Sequence, residues 1–559
     1  MFEAATHGEV PTFARPIVQI SGQSRDNRRF PSGSWELGGR SELTPGGAPR
    51  ASRQSERDRR KVRDTVTLPD VDRLSLLPQP FVRELNARLR ALGVRREAIA
   101  PFVQHGEHLL DRMRRPLRAF YLRREPSPLV FALRLFVFMD PVSHSEALQA
   151  LENDALLSAL LEARLLVERD GGVVCPFFLN VIEDQYVFCD DLANRGEAVM
   201  GASATTAGLI QAAWPTKRLE RVLDLGCGAG TAALMFARDA AHVVGSDINP
   251  RAVTLAKLNL ALADRDNVTF LTGDLFAPVA DTRFDLIVAQ PPFVSKPDSE
   301  ESVTFLHGGA RGDELLLRIL RELPPRLAAN GRAVFLVDWP KYDEVSPAER
   351  IRAALGEGSF DLLLLTSQRK DLGDYVAHYA TGQHPDLGEQ YSRAVHAHLG
   401  HLARLGVTEL RAMLIVVRAT ERTPWTHVVA TRGFGEAKPT AVQLERLIAA
   451  QDLLSADPSA LRAARLVVPE GTRFAQAESG QVRIELAASR LIGSVTCGQS
   501  AADLLTVVHQ SPSVGDAVAA MAQRLKLDDA AGRSQILRGV RSALAEGLLE
   551  LELDLNAAP

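Results

Sequence analysis

Between residues 200 and 420, short apolar runs alternate with segments of helical periodicity, and this alternation restricts the fold more than any other feature. RVLDLG, HVVGSDI, VTFLTGDLF, FDLIVAQ, RAVFLVDW, FDLLLLTS and AMLIVVRA read as seven strands. Most are apolar throughout rather than at every second residue, as expected of strands covered on both faces. The intervening TAALMFARDA, RAVTLAKLNLALA and GDELLLRILRELPPRLAA carry apolar residues at helical spacing. Strand and helix in strict alternation predict a doubly wound α/β domain.

The flanks differ in composition. Residues 1–68 are rich in Gly, Ser, Pro and Arg, with eleven basic against five acidic residues from Arg25 to Arg63. Too little apolar surface is present there to offset the entropy of ordering, so a disordered arm is predicted. Residues 70–195 are predicted to be a helical, winged-helix-like accessory domain. VRELNARLRALGV has Val82, Leu85, Leu89 and Leu92 on one helical face, and SEALQALENDALLSALLEARLL suggests two further helices. LLVERDGGVVCPFFLNVIEDQYVFC then alternates like a hairpin turning at Asp170-Gly171-Gly172. Twelve arginines face five acidic residues between Arg83 and Arg134, which fits either RNA contact or a solvated helix surface. Residues 440–559 are predicted to form a second small winged-helix-like domain of short helices closed by a strand.

Whole-chain properties exclude several classes. The chain has 559 residues, a net charge of −4 and only four cysteines, Cys175, Cys189, Cys227 and Cys497. No disulfide framework or metal site is expected from so few, scattered thiols. The best apolar run, Leu129–Met139, is interrupted by Arg134 and too short to cross a bilayer. A cytoplasmic protein is the expectation.

Chemistry concentrates at the strand ends. Val222–Thr231 (VLDLGCGAGT) runs from a strand through a glycine-rich turn into a helix. Glycines let a ligand approach the backbone, and a helix N-terminus offers free N–H groups. Gly228-Ala-Gly230-Thr-Ala-Ala233 also fits a loose dinucleotide fingerprint. Asp247 ends the next strand, where a carboxylate grips ribose hydroxyls. Asp274, after a third strand, either accepts from an adenine amino group or caps a turn. The fourth strand ends in Gln290-Pro291-Pro292-Phe293. Two prolines fix the carbonyl directions, the ring supplies a flat wall, and the amide both accepts and donates. His307 reads as a polar loop residue rather than a base, and Cys227 as a small apolar filler.

DLGCGAGT, SDINP, GDLF and AQPPF, in this order, resemble class I S-adenosylmethionine (SAM)-dependent methyltransferases. They most resemble the small-domain group that includes the release-factor glutamine and ribosomal RNA guanine-N2 methyltransferases. The resemblance covers roughly residues 196–420 and implies a Rossmann-like seven-stranded core flanked by accessory domains. It further implies that Gly226, Gly228 and Gly230 line the methionine part of SAM, with Asp224 supporting the loop. Asp247 would take the ribose and Asp274 the adenine amine. Gln290, which would also border the cofactor, Pro291 and Phe293 would hold the acceptor nitrogen, the Gln290 amide oxygen and the Pro291 carbonyl accepting its N–H bonds. The group carries Asn where this chain has Gln290, one methylene longer, so the bound amine must shift. GASATTAGL is similar to a cofactor-covering loop. The implied activity is methyl transfer to an amide or exocyclic amine nitrogen on protein or RNA. A small-molecule acceptor and a catalytically silent SAM-binding scaffold are the alternatives. A nicotinamide reductase is disfavoured by AQPPF and by Thr231 where a third glycine would fall.

Overall fold

The computed structural model describes residues 68–102, 114–191, 196–300, 302–342, 345–384, 387–432, 440–477, 480–487 and 490–552. The arm expected over residues 1–68 lies outside the described residues, apart from Leu68.

All seven expected strands form, and an eighth extends the sheet. They are β1 (Leu219–Leu225), β2 (Ala240–Asp247), β3 (Val268–Thr272), β4 (Phe284–Ala289), β5 (Leu327–Lys341), β6 (Phe360–Lys370), β7 (Glu409–Ala419) and β8 (Thr426–Ala430). Their order is β8-β6-β7-β5-β4-β1-β2-β3. β7 is antiparallel to both neighbours, and every other pairing is parallel. This is the Rossmann-like architecture expected. The β8 segment THVVA carries little strand signal, being short and only half covered, with burial differing from residue to residue.

The chain leaves β1 toward β2 and β3, then crosses back to place β4 on the other side of β1. A crevice opens where the strand order reverses, outside the carboxyl ends of the two central strands. Leu225 pairs in register with Ala289, so Gly226 and Gln290, the next residues, flank that point. The glycine turn and the diproline segment, more than 60 residues apart in the chain, therefore meet at one edge.

The N-terminal segment folds onto this edge. The helix Gln79–Ala91 buries Val82, Leu85 and Leu89, and the apolar run from Leu129 forms a short helix and a π-helical turn inside the core. Arg134, which interrupts that run, is 5% exposed and bound to Asp140 and Glu146 at 2.7 and 3.0 Å. Two hairpins follow where one was read. Val167–Arg169 pairs with Gly172–Val174, and Phe178–Ile182 with Gln185–Cys189. The first turn is Asp170-Gly171 alone, both at positive φ (52° and 76°), so Gly172 already pairs with Arg169. Two residues of positive φ give the tight turn that matches strand twist. The helix Pro250–Ala263 receives the second hairpin. Asn259, fully buried, accepts from Phe188 N–H and donates to the Phe188 and Ala229 carbonyls, each bond 2.8–2.9 Å. One amide thus ties the accessory hairpin to the glycine turn.

Much of the arginine excess is neutralised within the fold. Arg83 pairs with Asp264, Arg88 with Glu152, Arg115 with Asp191 and Arg123 with Asp140. On the far side, helices Gln499–Gln510, Val514–Leu525 and Ala530–Ala545 pack together, and strand Glu550–Leu551 pairs back with Leu466–Val467. The helix Ala441–Ser455 is pinned to the sheet by charge. Asp361 on β6, 1% exposed, accepts from Arg418 at 2.6 Å and Arg422 at 2.8 Å, and Asp452 on the helix bonds Arg418 and Trp425 Nε1 at 3.0 Å. Removing one partner of a buried ion pair leaves an uncompensated charge, which costs about 3–5 kcal/mol. Asp361→Ala is expected to lower the urea-unfolding free energy by about 3 kcal/mol, whereas Arg83→Ala, from an exposed pair, changes it by less than about 1 kcal/mol.

Candidate active site

Three glycines shape the turn after β1. Gly226, Gly228 and Gly230 have φ of 73°, 52° and 84°, a region that penalises side chains. They are needed for different reasons. A Cβ on Gly230 would stand 2.6 Å from the Phe270 ring on β3, so packing alone forbids one there. A Cβ on Gly226 would meet nothing within 4 Å, so that part of the turn faces open space at the carboxyl edge. The turn is held from below, because the Gly226 and Cys227 N–H groups donate to the Ser246 carbonyl at 2.8 and 3.0 Å.

Two carboxylates fasten the turn. Asp224, 5% exposed at the end of β1, accepts from Ala233 N–H at 2.9 Å, in the first turn of the helix Thr231–Phe236. Burial raises its pKa to about 7, the Ala233 N–H opposes the rise, and nearby Asp247 adds to it. Asp247, at the end of β2, accepts from Gly228 N–H through one oxygen and Asn249 N–H through the other, both at 2.9 Å. Burial raises its pKa too, against those two backbone bonds. Asp274 lies half exposed beyond β3 and receives the Arg318 guanidinium in bidentate fashion at 2.7 and 3.2 Å.

The opposite wall is Gln290–Phe293. Gln290 Oε1 accepts from the Thr206 hydroxyl at 3.2 Å. Pro291 is buried, and Phe293 meets Tyr379 edge to face with ring centroids 6.5 Å apart. Tyr379 bonds Asp338, whose carboxylate also holds Lys370 Nζ at 2.6 and 2.7 Å. Tyr379 comes from one of two helices, Leu372–Gln383 and Glu389–Arg404, inserted between β6 and β7. The loop after the diproline is folded back on it. Val294-Ser295 pairs with His307–Gly309, and a Cβ on Gly308 would stand 2.5 Å from the Pro292 oxygen and 2.9 Å from Phe293 Cα. Met200, the residue before GASATTAGL, places its carbonyl 3.4 Å from where a Gly228 Cβ would be.

The candidate residues Asp224, Gly226, Gly228, Gly230, Asp247, Gln290, Pro291 and Phe293 all lie at or just beyond the carboxyl ends of β1, β2 and β4. Asp274 stands further out, on the β3 side, engaged with Arg318. Thr206, Phe270, Gly308 and Tyr379 went unread as contributors, because each acts through a partner distant in sequence. His307 differs from the loop histidine expected. Its Nδ1 accepts from Val303 N–H at 3.0 Å, its Nε2 is buried without a partner, and its ring stacks on His398 at 6.5 Å. Burial draws both histidines down to about 4, helped at His307 by His398 and Lys296 and at His398 by His401 and His384.

Residues 181–310 match the family model for the methyltransferase small domain. Similar curated proteins include a ribosomal protein uL3 glutamine methyltransferase of Xanthomonas campestris pv. campestris, 35% identical over 125 residues. A release factor glutamine methyltransferase of Geobacter sulfurreducens is 37% identical over 123 residues. These alignments take in 21% and 20% of this chain and 41% and 42% of the relatives' own lengths. Among solved structures, a ribosomal protein L11 methylase from Lactobacillus delbrueckii subsp. bulgaricus aligns over 39% of this chain and 78% of its own, at 21% identity and a TM-score of 0.22. The region from the second hairpin to the glycine-rich loop after β4 thus matches the methyltransferase small domain, in line with the motifs, and the chain spans about two fifths of the length of these relatives.

The pKa shifts give opposed pH dependences. Asp224, raised in the folded state, contributes stability that is complete below about pH 4 and is lost as pH climbs to about 7. His307 and His398, lowered in the folded state, contribute stability that is complete above about pH 6.5 and is lost as pH falls to about 4. Melting temperatures taken across pH 4–7 should therefore fall less with rising pH in Asp224→Asn than in the parent, and fall less with dropping pH in His398→Phe.

Proposed function

We propose that this chain is a SAM-dependent methyltransferase that alkylates an amide or exocyclic amine nitrogen, with a protein amide as the favoured acceptor and a cytoplasmic setting. The observation that carries the reading is the meeting of the glycine turn and Gln290-Pro291-Pro292-Phe293 at the switch point between β1 and β4. The glutamine methyltransferases among its relatives favour a side-chain amide on a protein over RNA. The internal pairing of the N-terminal arginines weakens the case for an RNA surface.

The residues suit this cofactor. Gly226 leaves open space beside the strand end where the methionine part would lie. Asp247, fixed by two backbone N–H bonds, keeps lone pairs for ribose hydroxyls. Each Asp274 oxygen already accepts one Arg318 bond, and a carboxylate oxygen has about two acceptor positions, so an adenine amine can be shared with Arg318. When bound, SAM supplies a methyl group already activated on a sulfonium.

The chain's own work is then alignment. An amide nitrogen is a poor nucleophile because its lone pair is delocalised, and its two N–H bonds must be held so that the lone pair faces the methyl group. Gln290 Oε1 and the Pro291 carbonyl are the two acceptors, and Phe293 is the wall against the planar group. Orientation of this kind supplies much of the rate enhancement; the N–CH3 bond would form as the S–CH3 bond breaks, S-adenosylhomocysteine would leave, and the methylated nitrogen, made strongly acidic, would lose one proton to solvent without a strong base. His307, neutral at pH 7 and tied to Val303, is left out of the reaction.

The test is incubation of the full-length chain with tritiated SAM and cell extract, sorting label among protein, RNA and small molecules. Label in protein, released by acid hydrolysis as methylamine, supports the reading; label in RNA or small molecules reassigns the acceptor. Asp247→Ala is expected to weaken SAM binding by calorimetry about 100-fold or more, the loss of two hydrogen bonds to a charged group. Gln290→Ala should bind SAM normally and lose about 100-fold or more in turnover. Absence of any binding heat with SAM or S-adenosylhomocysteine on folded protein would overturn the reading.

A further inference from the structure

Gln290 raises a geometric question. Its side chain has one more rotatable bond than the Asn of the motif it resembles, so its amide needs an additional restraint to stay aimed. That restraint is visible in the helix Ala204–Ala213. Ser203 is its N-cap and Thr206 its third residue, and the two close a capping box. Thr206 N–H donates to Ser203 Oγ, and Ser203 N–H donates to Thr206 Oγ1, both at 3.3 Å. The third position of such a box is usually Glu or Gln. A Glu there would accept the Ser203 N–H and have no proton to pass on. A threonine hydroxyl accepts and also donates. Ser203 N–H and the Ser203 hydroxyl, its Oγ also 3.3 Å away, can fill both acceptor positions of Thr206 Oγ1, and the Thr206 proton then goes outward to Gln290 Oε1 at 3.2 Å.

We infer that Thr206 is a positioning residue for methyl transfer: the chain Ser203 N–H, Thr206 O–H, Gln290 Oε1 fixes the amide of Gln290 and compensates for its extra methylene. The inference rests on the assignment of Gln290 to the acceptor side. One lone pair of Oε1 takes the Thr206 proton, and the second stays open for an N–H of the acceptor. With Oε1 fixed, the Gln290 NH₂ is aimed as well, and it can donate to the carbonyl oxygen of an acceptor amide. A primary amide, which presents both N–H and C=O, satisfies this fixed pair better than an amine that offers N–H alone. Thr206 and Gln290 are 84 residues apart in the chain, yet the contact joins the start of the helix Ala204–Ala213 and the diproline segment in one hydrogen-bonded unit.

Three variants separate positioning from capping. Thr206→Ser keeps both bonds and should retain wild-type turnover. Thr206→Val, nearly the same shape, loses both. Thr206→Glu restores the capping box without a proton for Gln290. Both Val and Glu variants should lose kcat about tenfold or more, with the SAM dissociation constant of Thr206→Val within twofold of wild type. The Glu variant should also match the wild-type melting temperature. Recovery of turnover by Thr206→Glu would show that only the cap matters and would overturn the inference. If wild-type protein labels no acceptor, the reading of function fails by itself. The positioning claim is then decided by crystal structures of wild type and Thr206→Val: a Gln290 amide that turns away supports it, and an unmoved amide rejects it.

Discussion

The site depends on two carboxylates that accept backbone N–H groups in and around the glycine turn. Asp224 reaches forward from β1 to Ala233, and Asp247 reaches across from β2 to Gly228 and Asn249. A turn made of three residues at positive φ has little side chain to hold it in place, and glycine loses more conformational entropy on folding than other residues. The carboxylate bonds supply the missing restraint. Their cost appears in the raised pKa of both acids, since removing a carboxylate from water disfavours its charged form.

Everything packed around this edge holds the same few atoms from other directions. Asn259 joins the Ala229 carbonyl to the accessory hairpin, and Arg251 holds Asp190 at 2.6 and 2.8 Å beside it. Gly308 lets the returning loop lie directly on the Pro292 and Phe293 backbone, and Tyr379 sets the edge of the Phe293 ring. The N-terminal segment and the helical insertion between β6 and β7 therefore brace the two walls of one crevice. Such bracing suits a reaction governed by orientation, where a displacement of an ångström can cost as much as two orders of magnitude.

Charge plays a different part in this fold from the one its sequence suggested. A surplus of arginine in a helical segment invites a reading as an anion-binding surface. Instead Arg134 is buried between two carboxylates, Arg115 reaches Asp191, and Arg418 and Arg422 share Asp361 and Asp452. Arginine suits this task because its planar fork bonds two carboxylates at once and cannot be deprotonated. Here the surplus serves largely to join elements, including the helix Ala441–Ser455 to the edge of the sheet.

By itself the sequence determined the seven strands and the residues at each strand end, because apolar runs and glycine or proline breaks are local signals, whereas the strand order came from the tertiary structure. It also determined that Gly226, Gly228, Gly230 and Asp247 would share an edge, since parallel strands bring their carboxyl ends together. It did not show β8, the second hairpin, the engagement of Asp274 by Arg318, or the roles of Thr206, Asn259, Gly308 and Tyr379. Those were decided by tertiary structure. A threonine at the third position of a helix, or an asparagine inside one, acquires its meaning from a group brought within about 3 Å by chain folding. No local pattern records which of the possible partners that group will be.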